Sequence, residues 1–152
     1  SKRGVLKMGY THYWKNTQPM TAYEWADICK SAITYCTRSS VPVHIETSLY
    51  MPAPYGKETK RIRSSISIEG IGEAGYETFV LYPYEEDLGC CKTGRRPYDE
   101  IVVAVLNRAA ERCPEKFFWH SDGDWEDHEA GLTLQYSQPA REQTTPYYCV
   151  TH

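Results

Sequence analysis

Residues 90–99, Cys-Cys-Lys-Thr-Gly-Arg-Arg-Pro-Tyr-Asp, decide how the fold of this 152-residue chain is interpreted. Pro97 has a backbone φ preset for the first turn of a helix, and Asp99 complements the positive end of a helix dipole. Apolar residues then recur at helical spacing until Pro114 interrupts the pattern. The sequence therefore predicts a basic loop that leads directly into an amphipathic helix over residues 97–112.

The elements on either side of this stretch indicate the fold class. Thr21 and Glu24 form a Thr-x-x-Glu capping box, and an apolar stripe continues to about Arg38, which predicts another helix. Alternation of apolar and polar residues, or short apolar runs, predict strands at residues 10–15, 41–49, 61–69, 78–82 and 116–120. The 61–69 and 78–82 strands are expected to pair in an antiparallel hairpin. This order predicts a single-domain α+β fold, a two-layer sandwich with two amphipathic helices on one face of a mainly antiparallel sheet.

Length and composition place the chain among ordinary globular proteins. It is 41% apolar and 24% charged, with a net charge of −3. A net negative charge disfavours a long nucleic acid as partner, whereas a small anion needs only local positive charge. No apolar run is long enough to cross a bilayer, so no membrane partner is expected.

The expected domain covers residues 8–136, with residues 1–7 as a leader or added remnant and residues 137–152 as a polar C-terminal tail. The six cysteines form no Cys-x-x-Cys pair, which favours reduced thiols and a cytoplasmic location. The acidic stretch 85–87 is expected to be a turn before the basic loop, and its carboxylates offer an internal alternative to a bound anion.

Three polar clusters are candidates for a ligand site. The basic loop would supply backbone amides and cations to an anion. The aromatic run 9–14 would stack on a planar ligand, and the acidic, tryptophan-flanked run 119–129 would accept hydrogen bonds from hydroxyl groups. The predicted ligand-binding residues are His12, Tyr13, Trp14, Lys92, Thr93, Arg95, Arg96, Asp99, Asp122, Asp124 and Trp125.

Motifs of catalysis or metal binding are weak. Asp122, Asp124 and Glu126 are spaced as in a calcium loop, but Asp127 occupies the glycine position and Thr133 the bidentate position. The stretch therefore favours a turn followed by an acidic, capped short helix. The Gly-x-Gly-x-x-Gly pattern at residues 70–75 is followed by a predicted strand rather than a helix, which excludes a dinucleotide fingerprint. The sequence predicts no metal and no cofactor, and it leaves open whether the protein is an enzyme.

The motifs together resemble a family of small, largely uncharacterised phage and bacterial proteins. The resemblance rests on Met-Gly-Tyr-Thr-His-Tyr-Trp at residues 8–14, Glu-Thr-Phe at 77–79, Cys-Lys-Thr-x-Arg-x-Pro-Tyr-Asp at 91–99 and Ser-Asp-Gly-x-Trp-Glu at 121–126. It implies a phage-associated protein in the host bacterial cytoplasm. By analogy with other small phage proteins, it also implies an action against host defence.

Three functions are consistent with these observations. The first is a binding protein for a small phosphorylated, nucleotide-like ligand, which would sequester a host defence signal. The second is a hydrolase or transferase that acts on a phosphorylated nucleotide, with His12, Asp122 or Asp124 as base. The third is a protein–protein inhibitor of a host factor, and a homo-oligomer is also open.

Overall fold

The computed structural model describes residues 9–48 and 64–138, together with the backbone of Tyr148–Val150. The helices are α1 (Ala22–Arg38), α2 (Asp99–Arg112) and α3 (Trp125–Tyr136), with a short 3-10 helix at Gly72–Ala74. The strands are β1 (Thr11–Asn16), β2 (Val43–Thr47), β3 (Ile66–Gly70), β4 (Phe79–Leu81), β5 (Glu86–Lys92), β6 (Phe117–Ser121) and β7 (Tyr148–Val150). The predicted α+β class is confirmed.

Helix α1 begins at the predicted capping box. The Thr21 side chain accepts a hydrogen bond from the Glu24 N–H at 3.1 Å, and the Glu24 carboxylate accepts one from the Thr21 N–H at 2.8 Å. The same carboxylate accepts from Lys116 Nζ at 2.8 Å, which ties the start of α1 to the turn before β6. Trp25 and Ile28, on the inner stripe of the helix, are fully buried.

One sheet has the strand order β5-β1-β6-β7. The β1–β5 and β1–β6 pairs are antiparallel, whereas β7 pairs with β6 in parallel. Successive side chains of a strand point to opposite faces, so His12 and Trp14 of β1 face the core and Tyr13 faces outward. The inner face lies against the helices, where Trp119 Nε1 of β6 donates to Asn107 Oδ1 of α2 at 3.2 Å.

The second sheet has the order β2-β3-β4, and all its pairs are antiparallel. The predicted hairpin between residues 61–69 and 78–82 is confirmed within the described range, since Ile66 lies opposite Leu81 and Ile68 opposite Phe79. These four side chains are fully buried.

Helix α2 occupies the centre of the molecule. All of its residues from Ile101 to Asn107 are buried, because α1 and α3 both pack against it. Gly131 of α3 permits the close approach, since a Cβ there would lie 2.6 Å from Val103 of α2. A buried hydrogen bond of 2.9 Å from Asn107 Nδ2 to Gln135 Oε1 also joins the two helices.

The structure corrects several local expectations. Residues 86–87 belong to β5 rather than to an acidic turn, and Cys90 to Lys92 complete that strand, so the basic loop is shorter than predicted. The capped short helix expected after Asp122 extends over 12 residues as α3, which packs against α2 as a third helix. The structure also has two small sheets instead of one. The predictions for the leader, for residues 49–63 and for most of the C-terminal tail lie outside the described residues.

Candidate functional site

The Asp99 carboxylate, at the start of α2, joins the aromatic run 9–14 to the basic loop. His12 Nε2 and Thr93 Oγ1 each lie 2.6 Å from Asp99 Oδ1, and Tyr10 donates a longer hydrogen bond of 3.5 Å to Asp99 Oδ2. All four residues are buried, and the His12 ring is fully so. We call Tyr10, His12, Thr93, Asp99 and the neighbouring His128 the buried polar cluster.

Local sequence accounts for this convergence. Strand alternation directs His12 inward, and the turn after β5 places Thr93 beside the first residue of α2. A negative charge in the first helical turn is stabilised by the dipole of α2. His12 Nδ1 has no hydrogen-bond partner among the described residues, so the Asp99 contact is the one that orients the ring.

His128, on α3, is the remaining member of the buried polar cluster. Its ring centroid lies 5.7 Å from that of His12 and 5.3 Å from that of Trp119. Burial, with a smaller contribution from the charge of His12, lowers the pKa of His128 to about 3. The imidazole of His128 is therefore neutral near pH 7.

The basic loop is a tight turn over residues 93–96. Gly94 and Arg95 have φ values of 59° and 57°, and the Arg96 N–H donates to the Thr93 carbonyl at 3.0 Å. Two successive left-handed residues inside one hydrogen-bonded turn are typical of type I′. The residue before β1 also anchors the turn, because the Gly94 N–H donates to the Tyr10 carbonyl at 3.3 Å.

Two contacts hold the Arg95 side chain against the protein surface. Its Nε donates to Asp127 Oδ1 at 3.0 Å, and its guanidinium carbon lies 4.2 Å from the centroid of the Tyr10 ring. Burial acts to lower the pKa of Arg95, but the hydrogen bond and charge of Asp127 outweigh it and raise the pKa. The internal carboxylate that neutralises Arg95 is thus Asp127, not one from residues 85–87.

Lys92 and Arg96 are arranged differently, because both cations lie near the ring of the exposed Tyr76. Lys92 Nζ lies 5.8 Å and the Arg96 guanidinium carbon 5.7 Å from the centroid of the Tyr76 ring, and this tyrosine is 54% exposed. Within residues 9–48 and 64–138, no carboxylate lies within 4.0 Å of either cation. We call Tyr76, Lys92 and Arg96 the cationic tyrosine corner.

The segment after Tyr76 fixes this corner in place. Glu77 Oε1 accepts from the Lys92 N–H at 2.7 Å, and the Glu77 N–H donates to the Lys92 carbonyl at 3.3 Å. The Tyr98 hydroxyl donates to the Glu77 carbonyl as well. Arg96 itself donates from one terminal nitrogen to the Glu73 carbonyl at 3.5 Å. The backbone at Glu77 therefore fixes the position of Lys92, and the backbone at Glu73 that of Arg96.

The remaining predicted residues are distributed over three environments. Trp14 is buried against Phe79, with 5.3 Å between ring centroids, while Tyr13 stacks on His120 at 4.9 Å on the outer face of the sheet. Asp122 accepts a hydrogen bond of 3.1 Å from the Thr11 N–H. Asp124 caps α3, and Trp125, the first residue of α3, packs against the core.

The three clusters thus meet around Tyr10, but several of their residues are engaged within the protein. The buried rings of His12 and Trp14 offer no open face for stacking, and Asp124 uses its carboxylate in a reciprocal capping box with Asp127. The ligand-binding role predicted for the full set of residues stays a prediction.

The sequence reasoning did not select Tyr76 or His128 as site residues. Tyr76 directly precedes the Glu-Thr-Phe segment, and its position after a glycine turn was a signal of exposure. His128 follows the capping box of α3, in a helix whose apolar residues do not segregate onto one side, so the sequence contains no clear signal of its inward direction.

A scan against protein-family models, a search of curated proteins and a search of solved structures each gave no significant match to this chain. Among the described residues, no group of three or more His, Cys, Asp or Glu side chains is arranged to hold a metal ion. No helix in the described ranges has the length and apolar character required to cross a membrane.

Proposed function

We propose that the protein binds a small phosphorylated, nucleotide-like ligand at the cationic tyrosine corner. The observation that carries the proposal is the exposed Tyr76 ring beside two cations that have no carboxylate partner among the described residues. The resemblance to phage proteins extends the proposal to sequestration of a host nucleotide signal.

The chemistry of the corner suits such a ligand. A guanidinium and an ammonium group bind phosphate oxygens by charge-assisted hydrogen bonds, and an exposed phenol ring stacks on a base. Stacking contributes about 1–3 kcal/mol per base, and hydrogen bonds to charged groups contribute about 1.5–3 kcal/mol each. Because association itself costs free energy, these contacts support micromolar rather than nanomolar binding.

Binding is favoured over turnover by the burial of the histidine–aspartate pair. A general base must reach the proton that it removes, directly or through one water. His12 is fully buried beneath Tyr10 and Arg95, and Asp99 also bonds Thr93 of the basic turn. The pair is suited to supporting the turn that carries Arg96.

Calorimetric titration with ATP, and with adenosine as a ligand that lacks phosphate, tests the proposal. We expect ATP to bind and adenosine to bind at least tenfold more weakly. Arg96→Ala and Tyr76→Ala should each weaken ATP binding about tenfold or more. Mass spectrometry of small molecules released from the heat-denatured protein would identify a nucleotide that co-purifies.

Matched controls are available on α1, on another part of the surface. Tyr23 is 83% exposed and Lys30 is exposed, so Tyr23→Ala and Lys30→Ala remove a similar ring and a similar charge elsewhere. Equal loss of ATP binding in the control and corner variants would contradict the proposal. Conversion of ATP by the wild-type protein would instead favour the hydrolase or transferase.

A further inference from the structure

The outer face of the β5-β1-β6 part of the sheet carries aromatic and apolar side chains at the surface. Phe118 of β6 is 49% exposed, and Leu88 of β5 is 67% exposed. In the next outward row, on β1 and β6, the Tyr13 and His120 rings stack with an interplanar angle of 18°. Large rings on neighbouring strands of one open face are unusual where nothing binds, because exposed apolar patches carry a cost in solubility.

The strand register connects this face to the cationic tyrosine corner. Lys92 lies opposite Thr11, Tyr13 lies opposite both Cys90 and His120, and Lys15 lies opposite Phe118. Lys92 thus belongs both to the corner and to one end of the face, while the exposed Lys15 stands beside Phe118 at the other end. We call Tyr13, Lys15, Lys92, Phe118 and His120 the open face.

Strand geometry gives the dimensions of the open face. From Lys92 to Phe118 the path covers four residues along the strands, about 13 Å, and two strand spacings across them, about 10 Å. A mononucleotide with its phosphate between Lys92 and Arg96 is too short to reach Phe118. A linear chain of several nucleotides has the length to reach it.

We infer that the ligand class of this protein is a short single-stranded oligonucleotide that runs from the cationic tyrosine corner across the open face. The inference rests on the proposed function for the corner and extends it to the sheet. Bases stack on Tyr76, on the Tyr13–His120 pair and on Phe118, and the backbone phosphates contact Arg96, Lys92 and Lys15. Aromatic rings on an open sheet, with cations along the backbone path, are the general means of binding single strands with little sequence preference.

A single strand fits this face better than a duplex does. The bases of a duplex are stacked on one another, so their faces are not available to Tyr13 or Phe118. Duplex binding also depends mainly on phosphate contacts, and the net charge of −3 provides little long-range attraction. Three cations along the face imply a salt dependence for single strands with a log–log slope of about −2.

Calorimetric titration with oligothymidylates of one, two, four and eight nucleotides tests the inference. We expect the Kd to fall at least tenfold between one and four nucleotides. Phe118→Ala should raise the Kd of the tetranucleotide about tenfold and leave that of the mononucleotide unchanged. Phe118→Trp should retain the affinity, since it keeps a stacking ring, and Tyr23→Ala, at an exposed position of α1, serves as the control.

The outcomes separate this inference from the proposed function. If the mononucleotide binds through Arg96 and Tyr76 but affinity does not rise with length, the corner stands and the inference is wrong. If tetranucleotide binding depends on Phe118 and Tyr13 but not on Arg96, the open face stands and the corner is wrong. If Phe118→Ala converts a dimer into a monomer in sedimentation and leaves oligonucleotide affinity unchanged, the face joins two copies of the chain and the inference is overturned.

Discussion

His12 Nε2 lies 2.6 Å from Asp99 Oδ1, a contact between residues 87 positions apart. It joins the inner face of β1 to the first turn of α2, and the same carboxylate oxygen accepts the Thr93 hydroxyl at 2.6 Å. Because the basic turn begins at Thr93, one buried carboxylate holds the central strand, the central helix and the turn in a single arrangement.

Asp99→Asn is expected to destabilise the protein by about 2 kcal/mol or more. The substitution removes the charge that strengthens the hydrogen bonds from His12 and Thr93, and it places an amide donor among buried donors. Urea unfolding measures the change, with the exposed Asp87→Asn of β5 as control. A midpoint equal to that of the control would show that the buried contact contributes nothing to stability.

Protonation of His128 should make the folded state less stable in acid. Its pKa is about 3 in the folded protein and about 6.5 when unfolded, so only the unfolded chain binds the proton between these values. The full stability contributed by neutral His128 is present above about pH 6.5 and is lost as pH falls toward 3, at about 1.4 kcal/mol per pH unit.

Unfolding curves at pH 4, 5, 6 and 7 for the wild type and His128→Asn test this expectation. Because the two proteins differ only at residue 128, the difference in slope reports His128 together with its charge coupling to neighbouring groups. Parallel pH profiles for the two proteins would mean that the His128 ring is accessible to protons when folded.

Arg95 and Arg96 are expected to differ in their effect on stability. Arg95→Ala removes the hydrogen bond to Asp127 and the contact with the Tyr10 ring, which together contribute about 1–2 kcal/mol. Arg96→Ala should change the free energy of unfolding by less than about 0.5 kcal/mol, as is usual for an exposed side chain. Thermal unfolding of both variants measures the contrast, and equal melting temperatures would refute the structural role given to Arg95.

Gly89→Ala should be among the most damaging single substitutions in β5. A Cβ at Gly89 would lie 2.1 Å from Nε1 of the buried Trp14, so the indole or the strand has to shift. We expect a loss of about 3 kcal/mol or more, or failure to fold. Gly72→Ala is the control, since it has a φ of 61° with open space around it and should cost only about 1 kcal/mol of backbone strain. The ratio of soluble to insoluble protein provides a readout where unfolding curves cannot be measured.

The predictability of the candidate site differs from residue to residue. The inward direction of His12 follows from alternation in a strand whose position was predicted correctly. Arg95 binds a carboxylate and Arg96 does not, among the described residues. This difference does not follow from the sequence, since the two are adjacent cations in the same turn. What separates them is Asp127, 32 positions from Arg95, which α3 brings beneath one guanidinium and not the other.

The sequence by itself determined much of the local structure of this protein: the capped α1, most of the strands and α2, which begins at Asp99, two residues after Pro97. These depend on interactions within a few residues, which periodicity and capping express directly. Only the tertiary structure decided that His12 is buried on Asp99 and that Tyr76 lies beside Lys92 and Arg96. Such contacts require distant segments to pack together, and the free energy of that packing is shared among many side chains that no short pattern records.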